Sequence, residues 1–176
     1  MSAIKMAEFE KVSFNRFSDD IKAVGIQVPE NRVNEIYENI RLPKRATAGS
    51  AGYDFYIPFD LEQLLPNQTV TIPTGIRARV DEGWVLVCCP RSGLGFKYRM
   101  RLNNTVGIID SDYYGAKNEG HIMIRITNES NDGKVISLKA GDAFVQGIFL
   151  PFGITYTDDA SGVRQGGFGS TTDTKK

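Results

Sequence analysis

The sequence predicts an all-β protein, an antiparallel barrel or jelly roll, on three observations. From Arg41 onward, proline and glycine punctuate a series of short strand-like runs. Several of these runs alternate apolar and polar residues with a period of two, as strands with one buried face do. No helical pattern stands between successive runs, which argues against parallel βαβ units. The 176 residues, 41% apolar and 24% charged, suit one such domain with a short extension.

The first forty residues have a different character. Phe14, Phe17, Ile21 and Val24 fall at helical spacing, with Ser18 as the expected cap. Pro29 opens a second helix whose apolar stripe is Val33, Ile36, Tyr37 and Ile40. Residues 1–40 are therefore read as a helical extension packed on a neighbouring surface, and residues 41–157 as the barrel. Within the barrel, Val70, Ile72, Ile76, Ala78 and Val80 share one parity while Arg77 and Arg79 take the other. The continuous apolar run from Trp84 to Cys89 reads as a strand buried on both faces. Ile122, Ile124 and Ile126 alternate with His121, Met123 and Arg125, and Ala143 to Leu150 forms a further strand. Residues 158–176 are rich in Gly, Ser, Thr and Asp; such a composition cannot bury a core and reads as a flexible tail.

Composition narrows the chemistry. With 21 basic and 21 acidic residues, nothing draws the whole molecule to nucleic acid or to an anionic membrane. No apolar run approaches the ~20 residues of a membrane span. The amino terminus lacks a secretory h-region, and two adjacent cysteines, Cys88 and Cys89, make poor disulfide partners, so the expected compartment is the cytoplasm. The single histidine, His121, rules out HExxH and paired-histidine metal sites. Carboxylates, arginines, hydroxyls and backbone must carry the function. His121 itself is expected to be a partly exposed strand residue without catalytic duty.

Five segments set small or turn residues beside chemically capable ones. Ala51-Gly52-Tyr53-Asp54, taken alone, is most often a turn. Pro90-Arg91-Ser92-Gly93-Leu94-Gly95 offers a guanidinium fork, a hydroxyl and an approachable backbone, as a phosphate cradle would; it lacks the Walker spacing, and a plain strand-to-helix turn is its bland reading. Asn104 to Gly115, with Gly107 and Gly115 suited to a hairpin, carries Asp110, Asp112 and Tyr113; a carboxylate held there can take a proton from water, and exposed backbone can read a flat base. Read in isolation, Asp-Ser-Asp is a solvated turn. Gly141-Asp142-Ala143-Phe144-Val145-Gln146 ends in a lone glutamine, usually without catalytic work. Arg164-Gln165-Gly166-Gly167-Phe168-Gly169-Ser170-Thr171 embeds an arginine, a stackable ring and hydroxyls in glycines, as a segment closing over a nucleotide would.

The ordered set from Ala51 to Thr171 resembles the trimeric all-β dUTPases, the deoxyuridine triphosphate nucleotidohydrolases, whose motifs run AGxD, PRSG, GxIDxDYxG, GDxxxQ and GGFGST. The resemblance implies a distorted jelly-roll β-barrel in a homotrimer, with active sites shared between subunits. It implies hydrolysis of dUTP to dUMP and pyrophosphate, which limits uracil incorporation into DNA and supplies dUMP for dTMP synthesis. Asp110 would activate the water that attacks the α-phosphorus. Arg91, Arg164 and a Mg2+ ion held by the triphosphate would neutralise the leaving pyrophosphate, with Asp54 in the outer shell of the ion and no direct protein ligand. Asn104 and the backbone near Gly107, Ile108 and Met123 would read uracil. Tyr113 would lie against the deoxyribose and exclude a 2′-hydroxyl. Ser92, Gly93 and Gln146 would contact phosphates, and Phe168, Gly169, Ser170 and Thr171 would complete binding, Phe168 by stacking on the base.

Some residues depart from the family pattern. The tail has one residue fewer between Arg164 and Phe168, Ala143 replaces the usual basic residue after the Gly-Asp pair, and residues 116–121 lengthen the link after the third motif. Two alternatives accompany the resemblance. A dCTP deaminase of the same fold would need a glutamate base facing the pyrimidine, and ammonia release from dCTP would reveal it. A nucleotide-sensing regulatory protein on this scaffold would use residues 1–40 or 116–121 to hold a protein partner.

Overall fold

A computed structural model describes residues 4–162 together with Arg164 and Gly166. Among these residues every strand pairing is antiparallel, in a jelly-roll-like β fold. The largest sheet orders β2 (Lys44–Arg45), β3 (Tyr53–Tyr56), β12 (Ala143–Pro151), β7 (Trp84–Pro90) and β9 (Gly107–Ile109). A second sheet orders β5 (Thr69–Pro73), β10 (Met123–Asn128) and β8 (Met100–Leu102), and β11 (Ile136–Leu138) pairs with β4 (Leu61–Leu64). Phe55, Ile57, Ile72, Leu86, Ile126, Ile136, Phe144 and Val145 are fully buried between them.

Most of the alternating residues behave as their parity predicts, with Val70 half-buried and His121 buried despite its polar parity. Ile72, Ile76, Ala78 and Val80 are buried, and Thr74-Gly75 turns the chain between β5 and β6 (Ile76–Val80), with Gly75 at φ +72°. The strand β7 is central, flanked by β12 and β9. Only Leu86 and Cys88 of its residues are fully buried, so its second face is half covered rather than closed as its continuous apolar run suggested.

The first forty residues hold the two expected helices and also a strand that hydrophobic spacing does not reveal. β1 (Ala7–Lys11) pairs with β6, setting Glu8 opposite Arg79 and Glu10 opposite Arg77. Cross-strand charge pairs of this kind stabilise a strand that has little apolar residue content. Its one large apolar residue, Phe9, meets the rings of Tyr53, Phe55 and Phe149 at 5.4–5.5 Å between centroids. In α1 (Phe14–Ala23) the cap is Ser13, not Ser18: the Ser13 hydroxyl accepts from the Arg16 N–H at 3.1 Å, while Ser18 lies mid-helix. Phe17 and Ile21, one turn apart, are buried. α2 (Glu30–Glu38) starts after Pro29 and buries Val33. Val12, Phe17, Ile21, Val33 and Ile40 all belong to the same hydrophobic cluster as the barrel residues. No helix among the described residues is long and apolar enough to cross a membrane.

Candidate active site

The second motif sits where β7 runs into α3 (Ser92–Tyr98), so the bland strand-to-helix reading and the functional one describe the same turn. Arg91, Ser92 and Gly93 line a cavity of about 190 Å³ with Gly52, Asp54 and Gln146. Strand register brings them together, because Gln146 of β12 lies between Asp54 of β3 and Cys89 of β7. Arg91 Nε is 3.2 Å from Asp54 Oδ1, a pairing that holds the guanidinium at the cavity wall. A Cβ on Gly52 would stand 2.7 Å from Gln146 Oε1, so a larger residue there would push the Gln146 amide out of its present place in the cavity wall. Among the described residues no group of three or more His, Cys, Asp or Glu side chains could hold a metal.

A second cavity, about 340 Å³, is lined by Asn104, Gly107 and Met123, three residues expected to read a base. Thr71, Cys88, Asn103 and Arg125 also line it, and sequence reasoning missed them. Cys88 is visible in the sequence only as part of an apolar run, yet it pairs in register with Gly107, whose absent side chain admits the Cys88 Cβ at 3.1 Å from where a Cβ would stand. Burial pushes the Cys88 thiol up to about 12, so it is a neutral wall of the cavity and no nucleophile. Ile108, also expected to read the base, points from the other face of β9, is half exposed and does not line this cavity.

The segment expected to be a hairpin is a strand followed by a tight turn. β9 pairs with β7, and Ser111–Gly115 then coils into a 3-10 turn. Ile109 lines the second cavity, and the next residue, Asp110, presents a half-exposed carboxylate. Arg164 bridges it to its neighbour, with Nη2 at 2.6 Å from Asp110 Oδ2 and Nε at 2.8 Å from Asp112 Oδ1. Within one chain, then, Arg164 lies on the acidic turn and not in the cavity of Arg91. Its guanidinium is also 5.6 Å from the Tyr113 ring centroid. Phe168, Gly169, Ser170 and Thr171 lie outside the described residues.

Tyr113 is buried, and burial pushes its phenol above the ordinary value, so the hydroxyl keeps its proton. That hydroxyl donates to the His121 carbonyl at 2.8 Å and accepts from Asn118 Nδ2 at 2.8 Å. His121 is fully buried, contrary to the expectation of an exposed strand position. Its Nε2 accepts from the Gly75 N–H at 2.8 Å, and Nδ1 lies 2.6 Å from Asp20 Oδ2. The bonding fixes the neutral tautomer with its proton on Nδ1.

Glu10 and Glu119 tie the turn and the residues after it to the amino-terminal segment. Glu10 accepts from the Tyr114 hydroxyl and from Arg77, and Glu119 from the N–H and hydroxyl of Ser13. Partial burial works to raise both carboxyls, but these hydrogen bonds outweigh it and hold them below the usual range. A folded-state pKa lowered in this way stabilises the fold above the ordinary value of 4.5, and that help is lost as pH falls through the folded values. Thermal melts are therefore expected to move to lower temperature as pH drops below about 4.5. The Glu10→Gln/Glu119→Gln double variant should show a shallower acid dependence; an equal slope in both proteins would rule these two groups out as its source.

The antiparallel β fold thus carries an apolar cavity whose wall includes Ile109, the residue before the acidic turn, and a separate polar cavity lined by Arg91. Comparison with known proteins identifies the family. The dUTPase family profile matches residues 38–172. The deoxyuridine 5′-triphosphate nucleotidohydrolase of Lactococcus lactis subsp. lactis is 39% identical over 140 residues, covering 77% of this chain and 91% of its own. A solved dUTPase from Streptococcus mutans superposes with a TM-score of 0.60 at 33% identity, over 84% of this chain and 97% of its own. A mutant dUTPase of phage phi11 of S. aureus, a structure concerned with coordination of a structural Mg(II) ion, gives 0.56 at 21% identity, over 71% and 92%. The chain belongs to the dUTPase family, whose reaction is hydrolysis of dUTP to dUMP and pyrophosphate.

Proposed function

We propose that this chain performs that reaction with Asp110 as the base. The observation that carries the assignment is the adjacency of Ile109 in the wall of the second cavity and the half-exposed Asp110 carboxylate that follows it. A base seated against Asn104, Gly107 and Met123 brings the α-phosphate of its nucleotide toward that carboxylate. Asp110 takes a proton from water, the water oxygen bonds to the α-phosphorus, and the bond to the α,β-bridging oxygen breaks, releasing pyrophosphate. Arg91, Ser92, Gly93 and Gln146 hold phosphate oxygens, and Arg164 shifts from Asp110 and Asp112 to the charge of the triphosphate. Phe168, Gly169, Ser170 and Thr171 complete binding as the family motif implies.

Asp54 lines the polar cavity with its carboxylate engaged by Arg91, an arrangement that suits an outer-shell contact to a substrate-borne cation and not a resident metal centre. Mg2+ carried by the triphosphate supplies charge neutralisation for the leaving pyrophosphate. Tyr113 is buried and lines neither cavity within one chain, so its contact with the deoxyribose is assigned by the family motif and by its place three residues after Asp110. The dUTPase family match over residues 38–172 and the relatives named as dUTP nucleotidohydrolases favour dUTP hydrolysis over the deaminase alternative.

The working site is completed in a homotrimer. Within one chain no described residue lines both cavities, and apolar side chains stand exposed on α3 and at the end of β12: Phe96 at 91%, Phe152 at 50% and Ile154 at 74%. Pyrophosphate release should be fast with dUTP and slow with dCTP, dTTP and UTP, should require Mg2+, and should belong to a species with the mass of three chains. Equal turnover of dCTP and dUTP, or ammonia release from dCTP, would overturn the assignment.

A further inference from the structure

We propose that the amino-terminal helix and residues 116–121 act together as a selectivity clamp on Tyr113, with Asn118, His121 and Asp20 as positioning residues. The inference rests on the sugar-facing role given to Tyr113 above. A ring against the deoxyribose excludes a 2′-hydroxyl only if it cannot retreat, so the groups that hold its far end set the discrimination.

Both hydroxyl contacts named above come from residues 116–121: Asn118 Nδ2 and the His121 carbonyl. His121 is in turn fixed from two sides. The Gly75 N–H donates to Nε2, and Asp20 on α1 accepts a hydrogen bond from Nδ1–H with Oδ2 while its Oδ1 pairs with Arg16 at 3.2 Å. A second tie runs through Glu119, which adopts a left-handed φ of +60° and places both carboxylate oxygens on Ser13, the cap of α1. A left-handed non-glycine residue persists where its surroundings hold it there. A third tie joins Tyr114, the next residue in the turn, to Glu10 of β1 at 3.0 Å, with the Arg77 guanidinium 4.5 Å from its ring centroid. Three separate contacts from the first forty residues thus converge on residues 114–121, which follow Asp110. None of the contacting residues lines either cavity. The two additions to the barrel, residues 1–40 and 116–121, are each other's partners.

The test compares kcat/KM for dUTP and UTP in the full-length wild type and in Asp20→Ala, Asp20→Asn, Asn118→Ala and Tyr113→Phe. Asp20→Ala should lower the dUTP/UTP ratio about tenfold, chiefly by raising turnover of UTP, the scale expected when a close steric contact is relaxed. Asp20→Asn keeps an acceptor oxygen for Nδ1–H and should restore most of the ratio. Combining Asp20→Ala with Tyr113→Phe should add little, because both loosen the same phenol. A purely structural role predicts the opposite: a lower melting temperature and equal losses for both substrates, with the ratio unchanged. That result in Asp20→Ala, or in Asn118→Ala if the former does not fold, overturns the inference. A wild type without preference for dUTP over UTP overturns the reading of Tyr113 itself, and the clamp with it.

Discussion

Asp110→Asn is expected to cut pyrophosphate release from dUTP by about 10³-fold while the nucleotide still binds, the scale of loss seen when a general base is removed. The amide matches the carboxylate in shape but cannot accept a proton from water at neutral pH. Binding should survive because Asn104, Gly107 and Met123 line the base cavity and Arg91, Ser92 and Gln146 the polar one, and none of these relies on Asp110 for its position. Arg164 would lose one ion pair and keep its 2.8 Å contact to Asp112. The two quantities separate cleanly in experiment, with pyrophosphate release following the chemistry and calorimetric titration with a non-hydrolysable analogue following the binding. Loss of both together would make Asp110 a binding or folding residue, and full turnover would remove it from the base role.

The chemical half of this site is legible in the sequence because its residues are forced by chemistry into short ordered words. Arg91-Ser92-Gly93 and Ile109-Asp110 each place several site residues within one short stretch of chain, and Gly107 stands close to the Cys88 Cβ, where a side chain would be crowded. The supporting half is not legible, because its contacts join residues about a hundred positions apart. Asp20 meets His121, Ser13 meets Glu119 and Glu10 meets Tyr114, and no local pattern announces any of them. β1 escapes a sequence reading for a related reason: its strand character comes from charges that match Arg77 and Arg79 on another strand, not from its own apolar alternation. Residue type alone points to Ser18 as a cap, whereas the helix begins five residues earlier at the serine that Glu119 also holds. Arg164 shows the same limit, since nothing near it in sequence indicates that one chain alone would set it on Asp110.

Phe17→Ala decides whether the first forty residues are an appendage or part of the domain. Phe17 is fully buried, its ring centroid 5.9 Å from Tyr37 and 6.3 Å from His121, so it fills the space beneath the Asp20–His121 pair. Removing a buried phenylalanine ring costs about 3–5 kcal/mol through lost transfer energy and the cavity left behind. Against a typical total of about 5–15 kcal/mol that is a large fraction, and for a chain of this length it corresponds to a melting temperature lower by about 10 °C. Phe14→Ala, one turn earlier on the same helix and 38% exposed, provides the control and should cost no more than about 1 kcal/mol. The shape of the transition carries as much information as its midpoint. An independent extension would melt early in Phe17→Ala and leave a later barrel transition where it was. A helix whose Phe17 and Ile21 share one core with Ile76 and Ile126 must instead shift a single transition as a whole, because the cavity opens in the barrel's own interior.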